Sequence, residues 1–124
     1  MKNRWFAGLA AGAVLLAVAG SVLGHHNTAA RYDDEHPVTI TGTVVQFRMI
    51  SPHSRILVEV KGETEEAVIW DSETSSAGTL YRRGWRTDDL KPGDRVTVTG
   101  NPAVDGSRSM ALIRVVAPGG KVLE

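Results

Sequence analysis

The chain has no cysteine, so disulfide staples, thiolate metal sites and a lipid-modified N-terminal cysteine are all excluded. Aromatic residues make up only 6% of it, and neither sign of charge dominates, with 14 Lys and Arg against 14 Asp and Glu. Electrostatic binding of nucleic acid depends on a cationic surplus that this balance does not supply, so nucleic acid is not an expected partner. Also missing are spacings of the CxxC or HExxH kind, in which a ligand set is written into one short segment. What the chain does contain is one long uncharged run at its start.

Lys2 and Arg4 precede 19 residues without a charge, residues 5–23, built almost wholly from Ala, Gly, Leu and Val. A basic start followed by an apolar run is the pattern of a secretory signal peptide, here a helix over residues 1–24. Val22-Leu23-Gly24 offers a cleavage site directly before His25, and Val18-Ala19-Gly20 offers a second. The alternative is an uncleaved anchor, since a bilayer span needs about 20 apolar residues; the membrane is an expected partner only in that case. With a single arginine ahead of the run, Sec-type export is expected, and the location is periplasmic or secreted.

Removing residues 1–24 leaves 100 residues, with 12 basic groups against 14 acidic once Lys2 and Arg4 are gone. That length suits one small domain with a modest core. The expected organisation is an extended segment over residues 25–37, a folded domain over 38–118 and a loose C-terminal tail over 119–124.

From Val38 the apolar residues recur with period two, the signal of half-buried strands. Val38, Ile40 and Val44 share a face opposite Thr39, Thr41 and Thr43. The phase then slips so that Val45, Phe47 and Met49 continue the apolar face, which predicts a bulge or bend near Gly42 to Val45. Ser51-Pro52-His53-Ser54 closes a hairpin into Ile56, Val58 and Val60, and Val68 and Trp70 mark a third strand. The period changes between Thr74 and Leu90, where Leu80, Tyr81 and Trp85 predict a short helical connection ended by Gly84. Lys91-Pro92-Gly93-Asp94 and Asp105-Gly106 are turn signals around two further strands, one bearing Val96 and Val98, the other Met110, Leu112 and Val115. Three strands, a helical connection and two strands predict an all-β, five-stranded barrel like the oligonucleotide/oligosaccharide-binding (OB) fold, with an open sandwich or roll as the competing architecture.

His25-His26, Tyr32-Asp33, Thr41-Gly42-Thr43-Val44, Ser51-Pro52-His53, Arg83-Gly84-Trp85 and Leu90-Lys91-Pro92-Gly93-Asp94 together resemble an uncharacterised family of small exported bacterial proteins, a domain of unknown function. The resemblance covers essentially the whole mature chain. Members typically read His-His-Ser-Phe at the mature start and Asn-Pro-His in the first hairpin; His25-His26-Asn27-Thr28 and Ser51-Pro52-His53 stand in their place. The resemblance implies export and this architecture, and it supplies no catalytic residues.

The candidate metal ligands are His25, His26 and His53, with His36 a weaker one. Cleavage after Gly24 gives His25 a free amine beside its imidazole, a chelate suited to copper(II) and other late first-row ions. His53, in a proline-stiffened turn on the expected ligand rim of the barrel, is its best distant partner. Cleavage one residue earlier leaves Gly24-His25-His26, a different copper(II) chelate. The plainer reading is a solvated terminus with a turn histidine. Met49 and Met110 are read as core methionines rather than thioether ligands. Trp70, Arg82, Arg83 and Trp85 form a candidate rim for an anionic or sugar ligand, through charge and stacking. Asp33-Asp34-Glu35, Glu65-Glu66 and Asp88-Asp89 are like-charged runs expected on solvated surface.

No set of these residues makes a nucleophile, base and orienting acid, so a hydrolase is not expected. The function expected is that of an exported, non-catalytic barrel binding a small ligand or a protein partner. The second expectation is a periplasmic copper or other transition-metal binding protein using the mature N-terminal histidine. A copper-dependent oxidase is the third, and it further needs an open coordination position.

Overall fold

The computed structural model describes residues 30–64 and 66–124; the expected export signal, the two expected cleavage sites, His25 and His26 lie outside the described residues. The strands are β1 (Val38–Arg48), β2 (Ser54–Lys61), β3 (Ala67–Thr74), β4 (Arg95–Pro102), β5 (Ser109–Val116) and β6 (Val122–Leu123), and helix α1 (Ala77–Arg82) lies between β3 and β4. Their order in the sheet is β3-β2-β1-β4-β5-β6, and β3 also pairs with β5. That last pairing is parallel and consists of Asp71 with Ser109, Ser72 with Met110 and Glu73 with Ala111. It closes the five main strands into an OB-like barrel with one short helix between the third and fourth.

The barrel depends on β1 serving two neighbours. Its first half, from Val38 to Thr43, pairs with β4, and its second half, from Thr43 to Arg48, pairs with β2. Gly42 stands at the changeover, where a Cβ would collide with the Glu59 carbonyl oxygen and lie 2.8 Å from Val58 Cγ1. Only a residue without a side chain lets the strands approach that closely. The phase slip falls just beyond, between Val44 and Gln46. Val44 is therefore buried while Val45 is exposed, which corrects the expectation that Val45 continues the inner face.

Inward-facing residues of all five strands make one core: Val44, Ile56, Val58, Val96, Val98, Met110 and Val115, with Phe47, Met49 and Trp70 packed against it. Helix α1 begins at Ser76, whose hydroxyl accepts from the Thr79 N–H at 3.4 Å. It carries Leu80 into the core and stops at Gly84, where φ is +92°. The Lys91-to-Asp94 turn is as predicted: the Asp94 carboxylate accepts from the Lys91 N–H at 2.9 Å, and Gly93 N–H donates back to the Val44 carbonyl at 2.8 Å.

The C-terminal segment is not a loose tail. After the turn Pro118–Gly120 the chain doubles back as β6, pairing Val115 with Leu123 and Val116 with Val122. Leu123 is only 5% exposed. A buried leucine and two ladder pairs outweigh the conformational freedom of a four-residue end.

Candidate functional site

His53 ends the loop between β1 and β2, and its place is set by the residue after it. Ser54 is wholly buried; its hydroxyl donates to the Ile50 carbonyl at 3.0 Å and accepts from the Ile50 N–H at 3.2 Å. The Ala77 N–H also donates to the Ile50 carbonyl, at 2.9 Å, tying the loop to the start of α1. Because Ser54 pairs with Thr74 and Arg55 with Glu73 across β2 and β3, His53 is held next to the end of β3.

There it meets Glu73. Period two along β3 sends Ser72 into the core and leaves Asp71 and Glu73 outside. His53 Nδ1 lies 3.1 Å from Glu73 Oε1. The other carboxylate oxygen accepts from the Tyr32 hydroxyl at 3.0 Å and has Arg31 Nη1 at 3.8 Å. Tyr32 reaches this position because the segment before β1 lies against the β4–β5 hairpin: the Val104 N–H donates to the Arg31 carbonyl at 3.0 Å and the Asp33 N–H to the Pro102 carbonyl at 2.9 Å. Partial burial lifts the Tyr32 phenol above its usual pKa; the neighbouring Ser109 hydroxyl opposes the rise and the Glu73 carboxylate adds to it. The phenol is thus a secure donor at neutral pH, and Glu73 is an acceptor with defined partners on both oxygens.

Next along the same face, Arg55 clasps Asp71 through two parallel hydrogen bonds, Nε to Oδ1 at 3.0 Å and Nη2 to Oδ2 at 2.6 Å. The carboxylate raises the affinity of that guanidinium for its proton. The Arg108 guanidinium stands 5.7 Å from the centre of the Trp70 ring, and the Arg108 carbonyl accepts from the Asp71 N–H at 2.9 Å.

The expected rim is therefore divided. Trp70 is partnered by Arg108, not by Arg82 or Arg83. Trp85 is a core residue, 1% exposed, with its ring centre 6.0 Å from that of Phe47 and its Nε1 donating to the main-chain oxygen of Glu124 at 3.1 Å. Tyr81 takes the exposed position instead, with the Arg86 guanidinium 4.1 Å from its ring centre. Arg82 donates to the Thr79 hydroxyl at 3.1 Å, and Arg83 is exposed. Arg86 also donates to the Tyr81 and Trp85 carbonyls, so this cluster finishes the helix end. Met110 is wholly buried and Met49 packs against the core.

His36 lies apart from this group in its bonding, with Nδ1 at 2.9 Å from Asp33 Oδ2. The hydrogen bond from His36 holds the Asp33 carboxyl below the usual carboxylate range, helped by the Glu35 N–H on Oδ1. Among the described residues, no three His, Cys, Asp or Glu side chains come together as a ready metal cage. Asp89 departs from the expected solvated run. Its side chain is half-buried, accepting from the Arg86 N–H at 2.7 Å and pairing with Lys121 Nζ at 2.5 Å.

Reading the residues in order misses Glu73, Arg55, Asp71 and Arg108. Their one signal is the alternation of Asp71 and Glu73 with Trp70 and Ser72, which marks an acidic outer face on β3.

No curated protein matches the chain. Among solved structures, the small single-stranded DNA-binding protein from Streptomyces coelicolor is similar to it at 14% identity and a TM-score of 0.41, covering 69% of this chain and 94% of that one. A model of a family of unknown function, DUF6152, matches residues 12–112, and the chain belongs to that family.

Proposed function

We propose that this is an exported, non-catalytic barrel protein that binds a small ligand or a protein partner on the outer face of β2 and β3 and the adjoining loops. One observation carries the reading: His53, Glu73 and Tyr32, from a hairpin loop, a strand and the segment before β1, converge through two hydrogen-bonding contacts on one carboxylate. Polar side chains joined from three elements make a rigid, specific surface, and OB barrels bind ligands on this face and these loops. The Tyr32 hydroxyl, the Glu73 carboxylate and the His53 ring are engaged with one another, which favours a fixed binding surface, so the reading is binding rather than turnover.

The same face argues against nucleic acid. Arg55 is committed to Asp71, and Asp71 and Glu73 put two carboxylates on this face, which disfavour a phosphate backbone. Export follows from the basic start and the uncharged run over residues 5–23.

Three measurements test this. Expression of the full-length chain with its own signal should give periplasmic protein whose mass and first residue report cleavage; retention in the cytoplasm overturns export. A thermal-shift screen against a panel of sugars and short peptides should find a ligand whose effect is lost in Glu73→Ala; equal shifts in both proteins overturn the site. Fluorescence anisotropy with labelled oligothymidine at low salt should show no binding; binding that weakens steeply with added salt overturns the exclusion of nucleic acid.

A further inference from the structure

Tyr32 lies across β5. Its main chain bridges Ala103, just past the end of β4, and its hydroxyl reaches Glu73 on β3, so the ring spans the strand between them. The register shows what it covers. Asn101, Ala111 and Glu73 form one row across β4, β5 and β3, and Ser109 is paired with Asp71 beside it. Paired residues share a face, so the ring lies over the small side chains of Ala111 and Ser109, with Asn101 on one side and Glu73 on the other. It satisfies this place only in part. Asn101 Oδ1 is buried with no hydrogen-bond partner among the described residues, and Ser109 Oγ, beside the phenol, is buried without a bond of good geometry. Buried polar atoms are rarely left so, and each is a place for a donor or acceptor from outside the chain.

We infer that Tyr32 stands in for a ligand in this slot, and that the ligand is a pyranose ring of a neutral saccharide; this rests on the reading of the face as the binding surface. The phenol ring is close in size to a pyranose and brings one hydroxyl to Glu73, whereas a saccharide brings several. A hydroxyl donates and accepts at once. One sugar ring therefore donates to Glu73 and to Asn101 Oδ1 and serves Ser109 Oγ in either sense. Charge on the face selects a neutral molecule. A cation finds Glu73 already matched by Arg31 at 3.8 Å and Asp71 clasped by Arg55, and an anion meets both carboxylates. An extended peptide finds no free strand edge here, because β3 is paired on both sides from Asp71 to Glu73. Rotation of the Tyr32 side chain opens the slot, while the bonds from the Asp33 N–H to Pro102 and from the Val104 N–H to Arg31 keep the segment in place.

The test is calorimetry on protein purified after expression of the full-length chain. The probes are neutral di- and trisaccharides of glucose, galactose and N-acetylglucosamine, their sialylated or de-N-acetylated counterparts, and a neutral extended peptide. At least one neutral sugar is expected to bind, with its charged counterparts at least about tenfold weaker. Glu73→Ala should weaken that sugar by at least about tenfold and Asn101→Ala by at least about threefold. Tyr32→Phe removes the competing hydroxyl, so it should bind the sugar about two- to tenfold more tightly than wild type. Weaker binding in Tyr32→Phe makes the phenol a contact and overturns the stand-in. Wild-type affinity in Asn101→Ala, with circular dichroism showing a folded protein, overturns the slot. Failure of every neutral sugar, or tighter binding of a charged one, overturns the inference. If the peptide then binds and is lost in Glu73→Ala, the face still binds and only the saccharide is wrong. If no probe depends on Glu73, the reading of the face fails as well.

Discussion

Trp85 Nε1 donates to the main-chain oxygen of Glu124 at 3.1 Å, so the indole that follows α1 is anchored by the segment that carries β6. The bond joins the largest wholly buried side chain to a segment of four residues that also contributes Leu123 to the core and Lys121 to Asp89.

Deleting residues 121–124 should therefore be severe. Truncating one buried leucine costs about 2–5 kcal/mol, and a domain of this size has about 5–15 kcal/mol in all. Urea denaturation is expected to show a loss of at least the leucine value, with Leu123→Ala alone reproducing most of it. A truncated chain with the wild-type midpoint would show that the segment only rests on the barrel.

Asp89 gives a pH dependence of definite sign. Burial by itself would raise its carboxyl, but the hydrogen bond from Lys121, the Arg86 N–H and both positive charges outweigh burial and hold the pKa below the usual range. A depressed folded value means that the stabilisation is complete above the unfolded value of about 3.9 and is lost as pH falls through the folded one. Asp89→Asn should lower the melting temperature at neutral pH, and the gap from wild type should close as the pH falls below the unfolded value of about 3.9 and through the folded one. A gap independent of pH would assign the loss to packing.

Gly42→Ala places a methyl group against the Glu59 carbonyl and Val58, and Gly100→Ala places one 2.6 Å from the Ala111 carbonyl oxygen and 2.7 Å from Met110 Sδ. Because each collision includes main chain, neither is relieved by a side-chain rotation. Each substitution should cost about 1–3 kcal/mol or more, read from denaturation midpoints. Gly106→Ala is the comparison: it has open space around its Cβ, but φ there is +77°, so its cost is backbone strain alone.

The Arg55–Asp71 pair is bidentate but part-exposed, with 39% and 30% of the two side chains open to solvent. Solvent screening limits such a pair to about 0.2–1 kcal/mol in a double-mutant cycle, falling as salt is added. Coupling well above that range, or unaffected by salt, would mark Arg55 as part of a larger network through Glu73.

Much of the barrel could be read along the chain because its signals are local. Period two from Val38, the glycine in β1 and the turn residues from Lys91 to Asp94 each act within a few positions. The slip near Gly42 was equally legible, but two adjacent valines present the same pattern whichever of them bulges, so Val44 is inside as expected while Val45 is turned out. Leu80, Tyr81 and Trp85 likewise read as one apolar side of a helical turn. What sends Trp85 inward and Tyr81 outward is Phe47 on one strand and the main-chain oxygen of Glu124, 39 positions further on. His53 was marked by its proline turn, whereas its partner Glu73 resembles any acid at a strand end. Tyr32 and Glu73 meet across 41 positions, and nothing within either segment announces the other. The tail did carry a signal, the apolar pair Val122-Leu123 after two glycines, which marks a return to the sheet.

The seam between β3 and β5 is only three residue pairs long, and Glu73 is one of the six residues in it. The carboxylate that orients His53 is thus mounted on the last rung that turns an open sheet into a closed barrel. Because Glu73 belongs both to that rung and to the proposed face, a ligand held there would also brace the closed barrel. By mass action a ligand at one hundred times its dissociation constant adds about 2.7 kcal/mol to the closed form. On the proposed reading, a face built on this seam would report on the fold that carries it, because a chain that has not closed would lack it.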